Sequence, residues 1–244
     1  MIKTLYPIFQ HWSNTGSVFI ISDPHFGETD MNWRFTQVLR ADFTQSEQYG
    51  KIPTEDLIAN FIVDNINKVC HKCDTLIILG DIGDVEYVKK LKAGYKILIK
   101  GNHDLGTKNY QKQIISNACG YPNCKMTDCD ICYLNKIQTN KLFDEVYDGP
   151  VWIAEKILLS HEPIEMMQGY VYNIHGHNHN EEPIYIDPMI GIKRADYFMN
   201  VSAEKIGFTP ISLGEVINSG ILTNIPGIHR LTIDRATELK RWQK

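Results

Sequence analysis

Residues 18–25 read VFIISDPH, an apolar run that ends in an aspartate and a histidine two positions apart. Four apolar residues in a row are typical of a β-strand that is buried on both faces. Polar side chains directly after such a strand lie at its carboxyl end, where open α/β sheets bind their ligands. This stretch therefore predicts both a buried sheet and the edge at which its site lies.

The same arrangement recurs at four further places along the chain. Apolar runs at residues 76–79, 97–99, 157–159 and 171–174 each end in a short polar cluster. Because parallel strands end at one edge of a sheet, we expect these clusters to meet there. The clusters are Gly80-Asp81-Ile82-Gly83-Asp84, Gly101-Asn102-His103-Asp104, Ser160-His161-Glu162 and Gly176-His177-Asn178-His179.

Helical segments separate the strands. Residues 54–69 place apolar side chains on one face behind Thr54, a favoured N-cap residue. Shorter helices are predicted over residues 85–93 and 214–218, each of which is followed closely by a glycine. Strands that alternate with helices indicate an α/β protein.

Composition limits the class of protein. The chain has 244 residues, 22% of them charged, with a formal net charge of −4. We find no apolar run long enough to cross a bilayer and no secretory signal, which predicts a cytoplasmic protein without a membrane partner. The sequence has no dense Lys/Arg patch, so we do not expect a dedicated nucleic-acid-binding module. The pattern leaves the oligomeric state open.

A polar stretch at about 106–148 interrupts the rhythm of strands and helices. We interpret it as a cysteine-rich insertion in one domain that covers residues 1–244. Without an export signal, its thiols are expected to be reduced or metal-bound rather than paired in disulfides. A structural zinc site and free thiols are the two alternatives for Cys119, Cys124, Cys129 and Cys132.

The side chains of the five clusters are carboxylates, imidazoles and one carboxamide, which together suit two first-row metal ions. A set rich in imidazole favours manganese, iron or zinc over magnesium. Asp81 is the best candidate for a carboxylate that bridges both ions. Two divalent ions bring more positive charge than Asp23 and Asp81 cancel, so the site predicts an anionic substrate such as a phosphate ester.

The ordered motifs Asp-x-His, Gly-Asp-x-x-Asp, Gly-Asn-His-Asp, a single histidine and Gly-His-x-His resemble those of the calcineurin-like metallophosphoesterases. The loops around Asp23 and Asn102 are most similar to those of small stand-alone members from bacteria and phages. The resemblance implies an α/β fold, a four-layer αββα sandwich of two mixed β-sheets flanked by helices. One departure is Glu28, which stands where many close relatives carry a histidine.

The resemblance also implies roles for individual residues. One ion would be held by Asp23, His25, Asp81 and His179, and the other by Asp81, Asn102, His161 and His177. His103, paired with Asp104, would protonate the leaving oxygen or stabilise the transition state. Asp84 would lie beside the substrate or behind the ligands, and His175 behind the ligands. Arg34 would either hold a substrate phosphate or lie on a solvated helical face.

These roles predict a hydrolase that uses two divalent metal ions and a bridging hydroxide to cleave phosphate esters. Phosphodiesters, such as cyclic nucleotides or nucleic-acid ends, are favoured as substrates. The alternatives are a phosphomonoesterase or nuclease of the same fold, and a catalytically silent protein that binds metals and an interaction partner.

Overall fold

The computed structural model describes residues 16–41, 51–104, 142–153, 156–165, 169–180 and 196–227. Nine strands within these ranges form two sheets. The strands are β1 (Val18–Ile21), β2 (Thr75–Ile78), β3 (Tyr95–Ile99), β4 (Glu145–Tyr147), β5 (Val151–Ile153), β6 (Ile157–Leu159), β7 (Tyr172–His175), β8 (Phe198–Asn200) and β9 (Ile211–Ser212).

Both sheets are mixed. The first has the order β4-β3-β2-β1-β9, with β1 to β4 parallel and β9 antiparallel to β1. The second has the order β5-β6-β7-β8, with β6 to β8 parallel and β5 antiparallel to β6. The five predicted strands are present within two residues of their predicted bounds.

Four α-helices and three 3₁₀ turns connect the strands in the described ranges. The predicted helix over residues 54–69 is confirmed, although Pro53 rather than Thr54 is its N-cap. The helices are α1 (Phe35–Ala41), α2 (Thr54–Val69), α3 (Val85–Val88) and α4 (Leu213–Asn218). The 3₁₀ turns are Thr29–Arg34, Asn102–Asp104 and Ile221–Asn224.

Helix α3 ends five residues before the predicted end at residue 93. The side chain of Asn67 provides the reason, because it binds the backbone that follows the helix. Its amide group donates to the Lys90 carbonyl at 3.0 Å, and its Oδ1 accepts the Lys92 N–H at 2.7 Å. These two hydrogen bonds replace the ones that a longer helix would make.

Two apolar cores lie on the two faces of the first sheet. Ile78 and Leu98 face one core, in which they pack with Ile62 and other residues of α2. Ile77 and Ile97 face the other core, which lies between the two sheets and includes residues of β5, β6 and β7. Two stacked mixed sheets with flanking helices confirm the predicted α/β sandwich.

Strand β4 lies inside the stretch predicted as an insertion. Its residues pair in parallel with β3, and Leu142 and Phe143, just before it, are buried in the core with α2. The end of that stretch, from residue 142, is therefore part of the sheet. No helix in the ranges above is both long and apolar enough to span a bilayer.

Candidate metal centre

Five strands deliver the predicted ligands to one place. Asp23, Asp81 and Asn102 follow β1, β2 and β3 of the first sheet, and His161 and His177 follow β6 and β7 of the second. The loops are joined directly, since the Asp23 N–H donates to the Gly80 carbonyl at 3.1 Å and the His177 N–H donates to Asp23 Oδ2 at 2.9 Å. The site therefore lies where the carboxyl ends of the two sheets meet.

Two groups of side chains there have the arrangement of a metal site. In each group, one ligand atom from every residue lies within 4.8 Å of the others. The first group is Asp23, His25 and His179, and the second is Asp81, His161 and His177.

Asn102 completes the second group. Its Oδ1 lies 2.8 Å from His161 Nε2 and 3.2 Å from His177 Nδ1, and those two nitrogens are 3.2 Å apart. Atoms that share one ion at bond lengths of about 2 Å lie roughly 3 Å from one another. The three donor atoms are therefore spaced as ligands of a single ion.

Asp81 belongs to the second group and also lies close to the first. Its Oδ2 is 3.6 Å from His25 Nε2 of the first group and 3.3 Å from His161 Nε2 of the second. Its other oxygen, Oδ1, accepts the backbone N–H of His103 at 2.9 Å. One oxygen thus fixes the carboxylate, while the other faces both groups.

The two carboxylate oxygens of Asp23 also have different surroundings. Its Oδ2 accepts the His177 N–H and the Ser202 hydroxyl, both at 2.9 Å. Its Oδ1 is buried and has no hydrogen-bond partner among the described residues, and the same holds for Nε2 of His25. Buried polar atoms are nearly always paired, so two such atoms in one group of possible metal ligands fit a metal ion.

These donors match what two divalent ions require. The carboxylate and carboxamide oxygens are hard ligands, and the imidazole nitrogens are intermediate between hard and soft. Both groups are rich in imidazole. The calcineurin-like phosphoesterase family model matches residues 16–205. The chain belongs to this family.

Two solved structures resemble this phosphoesterase. A protein of unknown function from Aquifex aeolicus, AQ665, is 22% identical, with a TM-score of 0.47, and the match covers 83% of this chain and 98% of that one. The nuclease MPE from Pseudomonas putida is 18% identical, with a TM-score of 0.29, over 66% of this chain and 61% of that one. No curated protein matches the sequence.

Hydrogen bonds on the far ring nitrogens orient the imidazoles of this phosphoesterase. Nδ1 of His25 lies 2.6 Å from Glu28 Oε2, and Nδ1 of His161 lies 2.7 Å from the Leu79 carbonyl. Each contact places a proton on Nδ1, so Nε2, which lies on the side of Asp81, is the ring nitrogen that would bind an ion. Such outer hydrogen bonds set the tautomer and raise the basicity of a metal-binding histidine.

A buried ion pair supports His179. Oε1 of Glu204 lies 2.6 Å from His179 Nδ1, and Oε2 lies 2.8 Å from the guanidinium of Arg34. The guanidinium also donates to the carbonyls of Asp23 at 2.9 Å and Pro24 at 3.1 Å. Arg34 is 0% exposed, so it holds the loop of the first ligands and is neither at a substrate phosphate nor on a solvated face.

The charges of the site shift the pKa values of its members. Burial pulls the pKa of His161 down, but its hydrogen bond to Asp81 and the nearby charges of Asp23 and Asp81 outweigh this and raise it to about 9. Burial alone would raise the pKa of Asp81, yet the contact with His161 leaves it below the usual value. Glu204 likewise has a lowered pKa despite its burial, because it bonds His179 and faces Arg34.

Backbone strain is concentrated at the same residues. Six non-glycine residues in the described ranges have a positive φ, and five of them are predicted ligands. Such conformations cost about 1–3 kcal/mol each and persist only where the surroundings enforce them. The five are Asp23 at 53°, His25 at 43°, Asp81 at 53°, His177 at 67° and His179 at 44°.

Glycines of the motifs allow the loops to approach each other. A Cβ on Gly176 would lie 1.9 Å from Ser22 Oγ and 2.3 Å from Asp23 Oδ2. A Cβ on Gly101 would lie 2.2 Å from Asp81 Oδ1. Any larger residue at these positions would displace a predicted ligand.

His103 and Asp104 occupy different environments. His103 is exposed, with its ring centroid 5.2 Å from that of His25, so it faces the open side of the site. Asp104 is buried, and its oxygens accept the backbone N–H groups of Asp81 at 2.7 Å, Ile82 at 3.2 Å and Gly101 at 2.9 Å. Asp104 therefore holds the Asp81 and Asn102 loops together.

The remaining predicted residues lie around the centre or beyond the described ranges. Asp84 is exposed and caps α3, with Oδ1 accepting the Glu86 N–H at 2.9 Å. His175 is buried against Phe198, and its Nδ1 lies 2.8 Å from the Gly176 carbonyl. Cys119, Cys124, Cys129 and Cys132 lie outside the described residues.

Sequence reasoning missed Glu28, Ser202 and Glu204 as members of this site. Glu28 was visible only as a departure from related sequences. Ser202 and Glu204 follow β8, and they reach Asp23 and His179 through the pairing of β8 with β7 and a parallel bridge between Ser22 and Ser202. No spacing within the sequence indicates those two contacts.

Proposed function

We propose that this protein is a metal-dependent phosphodiesterase that works through a dinuclear centre. The observation that supports this proposal most directly is the position of Asp81 Oδ2, which lies 3.6 Å from His25 Nε2 and 3.3 Å from His161 Nε2. A carboxylate oxygen within reach of two ligand groups is what a pair of ions 3.5–4 Å apart needs as a bridge. Membership of the calcineurin-like phosphoesterases supports phosphate esters as the substrate class.

Asp23, His25, Asp81 and His179 would hold one ion, and Asp81, Asn102, His161 and His177 the other. Two divalent ions bound there would polarise the phosphate oxygens and make water acidic enough to attack at neutral pH. The imidazole-rich donor set favours manganese, iron or zinc.

His103 is the residue we propose as the proton donor to the leaving oxygen. Its side chain is exposed at the mouth of the centre, so it can reach a bound ester. Its backbone N–H is fixed on Asp81 Oδ1 at 2.9 Å, which ties the position of the imidazole to the proposed bridging carboxylate.

An open cavity favours diesters over monoesters. It has a volume of about 650 Å³ and reaches the centre at Asn102 and His161. Pro150, Pro163 and Ile164 contribute apolar surface to it. A monoester needs space for one organic group, whereas a diester carries a second group that this cavity can accept.

The test combines metal analysis with two chromogenic substrates. Metal-stripped protein is reloaded with Mn²⁺, its bound ions are counted, and hydrolysis of bis(p-nitrophenyl) phosphate and p-nitrophenyl phosphate is compared. We expect two ions per chain and a higher kcat/KM on the diester, and an Asp81→Asn variant should lose bound metal and activity together. A preference for the monoester would indicate a phosphomonoesterase, and two bound ions without turnover would indicate a silent metal-binding protein.

A further inference from the structure

Trp33 is a large apolar side chain left open to solvent at the edge of the candidate metal centre. It is 46% exposed, and Tyr170 is the other exposed large hydrophobic residue in the described part of the chain. The two differ in position, because Tyr170 precedes β7 whereas the predicted ligands His177 and His179 follow it. Trp33 therefore lies at the site and Tyr170 at the opposite end of the strand.

The indole contacts the first ligand group directly. Its ring centroid is 6.2 Å from that of His179, with the two rings nearly perpendicular at 84°. The ring of His179 is in turn 5.3 Å from that of His25. A line of three rings thus runs from the solvent-exposed indole to the orphaned Nε2 of His25.

The backbone beneath the indole is fixed. Trp33 belongs to the 3₁₀ turn Thr29–Arg34, and the next residue, Arg34, is anchored by Glu204 and by the carbonyls of Asp23 and Pro24. The guanidinium carbon of Arg34 lies 5.6 Å from the centre of the indole, at a distance that suits a cation–π contact. The ring is held in place without being buried, which is the condition for a preformed contact surface.

The opposite flank of the centre has a different character. The 650 Å³ cavity begins at Asn102 and His161 of the second ligand group, whereas Trp33 adjoins His179 of the first. A phosphodiester held between the two groups has one organic substituent on each side. One substituent would enter the cavity, and the other would meet the indole.

We propose that Trp33 forms an aromatic subsite that stacks on the base of a nucleotide phosphodiester. The inference rests on the proposed function and names its substrate class. An open indole face binds any nucleobase, because every base has a π-face, and such stacking depends little on sequence. An aliphatic substituent has no π-face and would gain only contact area with the indole, so the subsite selects planar heteroaromatic groups.

The experiment compares two esters that release the same p-nitrophenolate. Thymidine 5′-(p-nitrophenyl phosphate) carries a base on the retained side, and methyl p-nitrophenyl phosphate carries a methyl group there. We expect Trp33→Ala to lower kcat/KM for the thymidine ester by about 5- to 150-fold, the range typical for removal of one stacking ring. Its kcat/KM for the methyl ester should change by less than about twofold.

Two variants serve as controls. Trp33→Phe keeps an aromatic face and should retain most of the preference for the thymidine ester. Tyr170→Ala removes the other exposed ring and should leave both substrates unchanged. If Trp33→Ala keeps the wild-type preference for the thymidine ester, the subsite is overturned. An equal loss of kcat/KM on both esters with lower metal content also overturns it, because Trp33 would then only support His179.

Failure of the proposed function gives a separate result. If the metal-loaded wild type cleaves neither ester, the phosphodiesterase assignment fails, and calorimetry then tests the subsite alone. Thymidine 5′-monophosphate should bind more tightly than methyl phosphate to the wild type, and Trp33→Ala should abolish the difference. Equal binding of the two phosphates by the wild type overturns the subsite.

A final arm separates the two sources of a stacked base. Hydrolysis of a dinucleotide, and of a single-stranded oligonucleotide that ends in the same two nucleotides, is measured for the wild type and for Trp33→Ala. Loss of kcat/KM on the dinucleotide alone assigns the subsite to small nucleotide diesters, and loss on both extends it to nucleic-acid ends. Loss on neither overturns the proposal.

Discussion

Nδ1 of His25 lies 2.6 Å from Oε2 of Glu28, three residues further along the chain. Hydrogen bonding to His25 is also the main reason why the pKa of Glu28 lies below its usual value, although burial acts in the opposite direction. The contact leaves His25 Nε2 buried, without a hydrogen-bond partner in the described ranges, and 3.6 Å from Asp81 Oδ2. Glu28 is therefore positioned to support His25 in the candidate centre.

Glu28→Ala tests that contact. Removing an outer hydrogen bond of this kind typically weakens metal binding by 10- to 100-fold, and we expect about that loss here, measured by metal titration of stripped protein. Glu28→Gln keeps an acceptor oxygen and should lose less. Glu86→Ala is the matched control, since Glu86 is an exposed carboxylate paired with Lys89. Unchanged metal affinity in Glu28→Ala would contradict the supporting role.

Arg34→Met tests the buried ion pair. It would remove the guanidinium that lies 2.8 Å from Glu204 Oε2, and both side chains are 0% exposed. Breaking a buried pair from one side costs about 3–5 kcal/mol, which urea unfolding of the metal-free protein should measure. Lys89→Met removes a cation from an exposed pair and should stay within about 0.5 kcal/mol of the wild type. A loss below about 1 kcal/mol in Arg34→Met would refute the importance of the pair.

Gly176→Ala tests the close approach of the two sheets. The new Cβ would overlap Ser22 Oγ and Asp23 Oδ2, so the Asp23 carboxylate has to move. We expect a loss of about 1–3 kcal/mol in stability together with reduced metal content. Gly149→Ala is the control, because in the described part of the chain no atom beyond its two sequence neighbours lies within 4 Å of its Cβ position. Equal behaviour of the two variants would argue against a crowded junction.

His103→Ala tests the proposed proton donor. General acids contribute about 10²–10⁴-fold, and more to a poor leaving group than to a good one. We expect a fall in kcat of that size for an alkyl diester, a much smaller fall for bis(p-nitrophenyl) phosphate, and unchanged metal content. The same loss on both substrates would show that His103 acts on something other than the leaving oxygen.

Metal binding should depend on pH through His161. Because its pKa is raised to about 9, the imidazole is protonated below that pH, and an ion has to displace the proton. Apparent affinity should therefore rise by up to about tenfold per unit as the pH increases towards 9, and level off above it. Titrations of stripped protein in buffers of different ionisation enthalpy count the released protons. Affinity that does not change below pH 9 would contradict the raised pKa.

The sequence was sufficient to predict the strands that carry the site. A run such as Leu76 to Leu79 is buried on both faces, and burial of that kind leaves a continuous apolar signal. The polar residues after each run had only one edge of the sheet to occupy. The strands that were missed, β4, β5, β8 and β9, have two or three residues each, and unlike the equally short β6 none of them is buried along its whole length.

Contacts between distant segments could not be predicted. Glu204 meets His179 and Arg34 because β8 pairs with β7, Ser202 bridges to Ser22, and the Arg34 guanidinium binds the backbone that follows β1. Asp104 follows His103 directly, which suggested a side-chain pair, yet its oxygens bind three backbone N–H groups. Adjacency in sequence therefore does not indicate from which N–H or O–H groups a buried carboxylate accepts hydrogen bonds.

The predicted ligands come from both sheets, with Asp23 and Asp81 on one and His161, His177 and His179 on the other. Ions bound there would hold the two sheets of the sandwich together along one rim. Any ligand that binds only the folded state adds to its stability, by about 2.7 kcal/mol at a concentration 100 times its Kd. Chelation would loosen that rim first, so the amide protons of β1 and β7 should report metal loss through faster exchange with solvent.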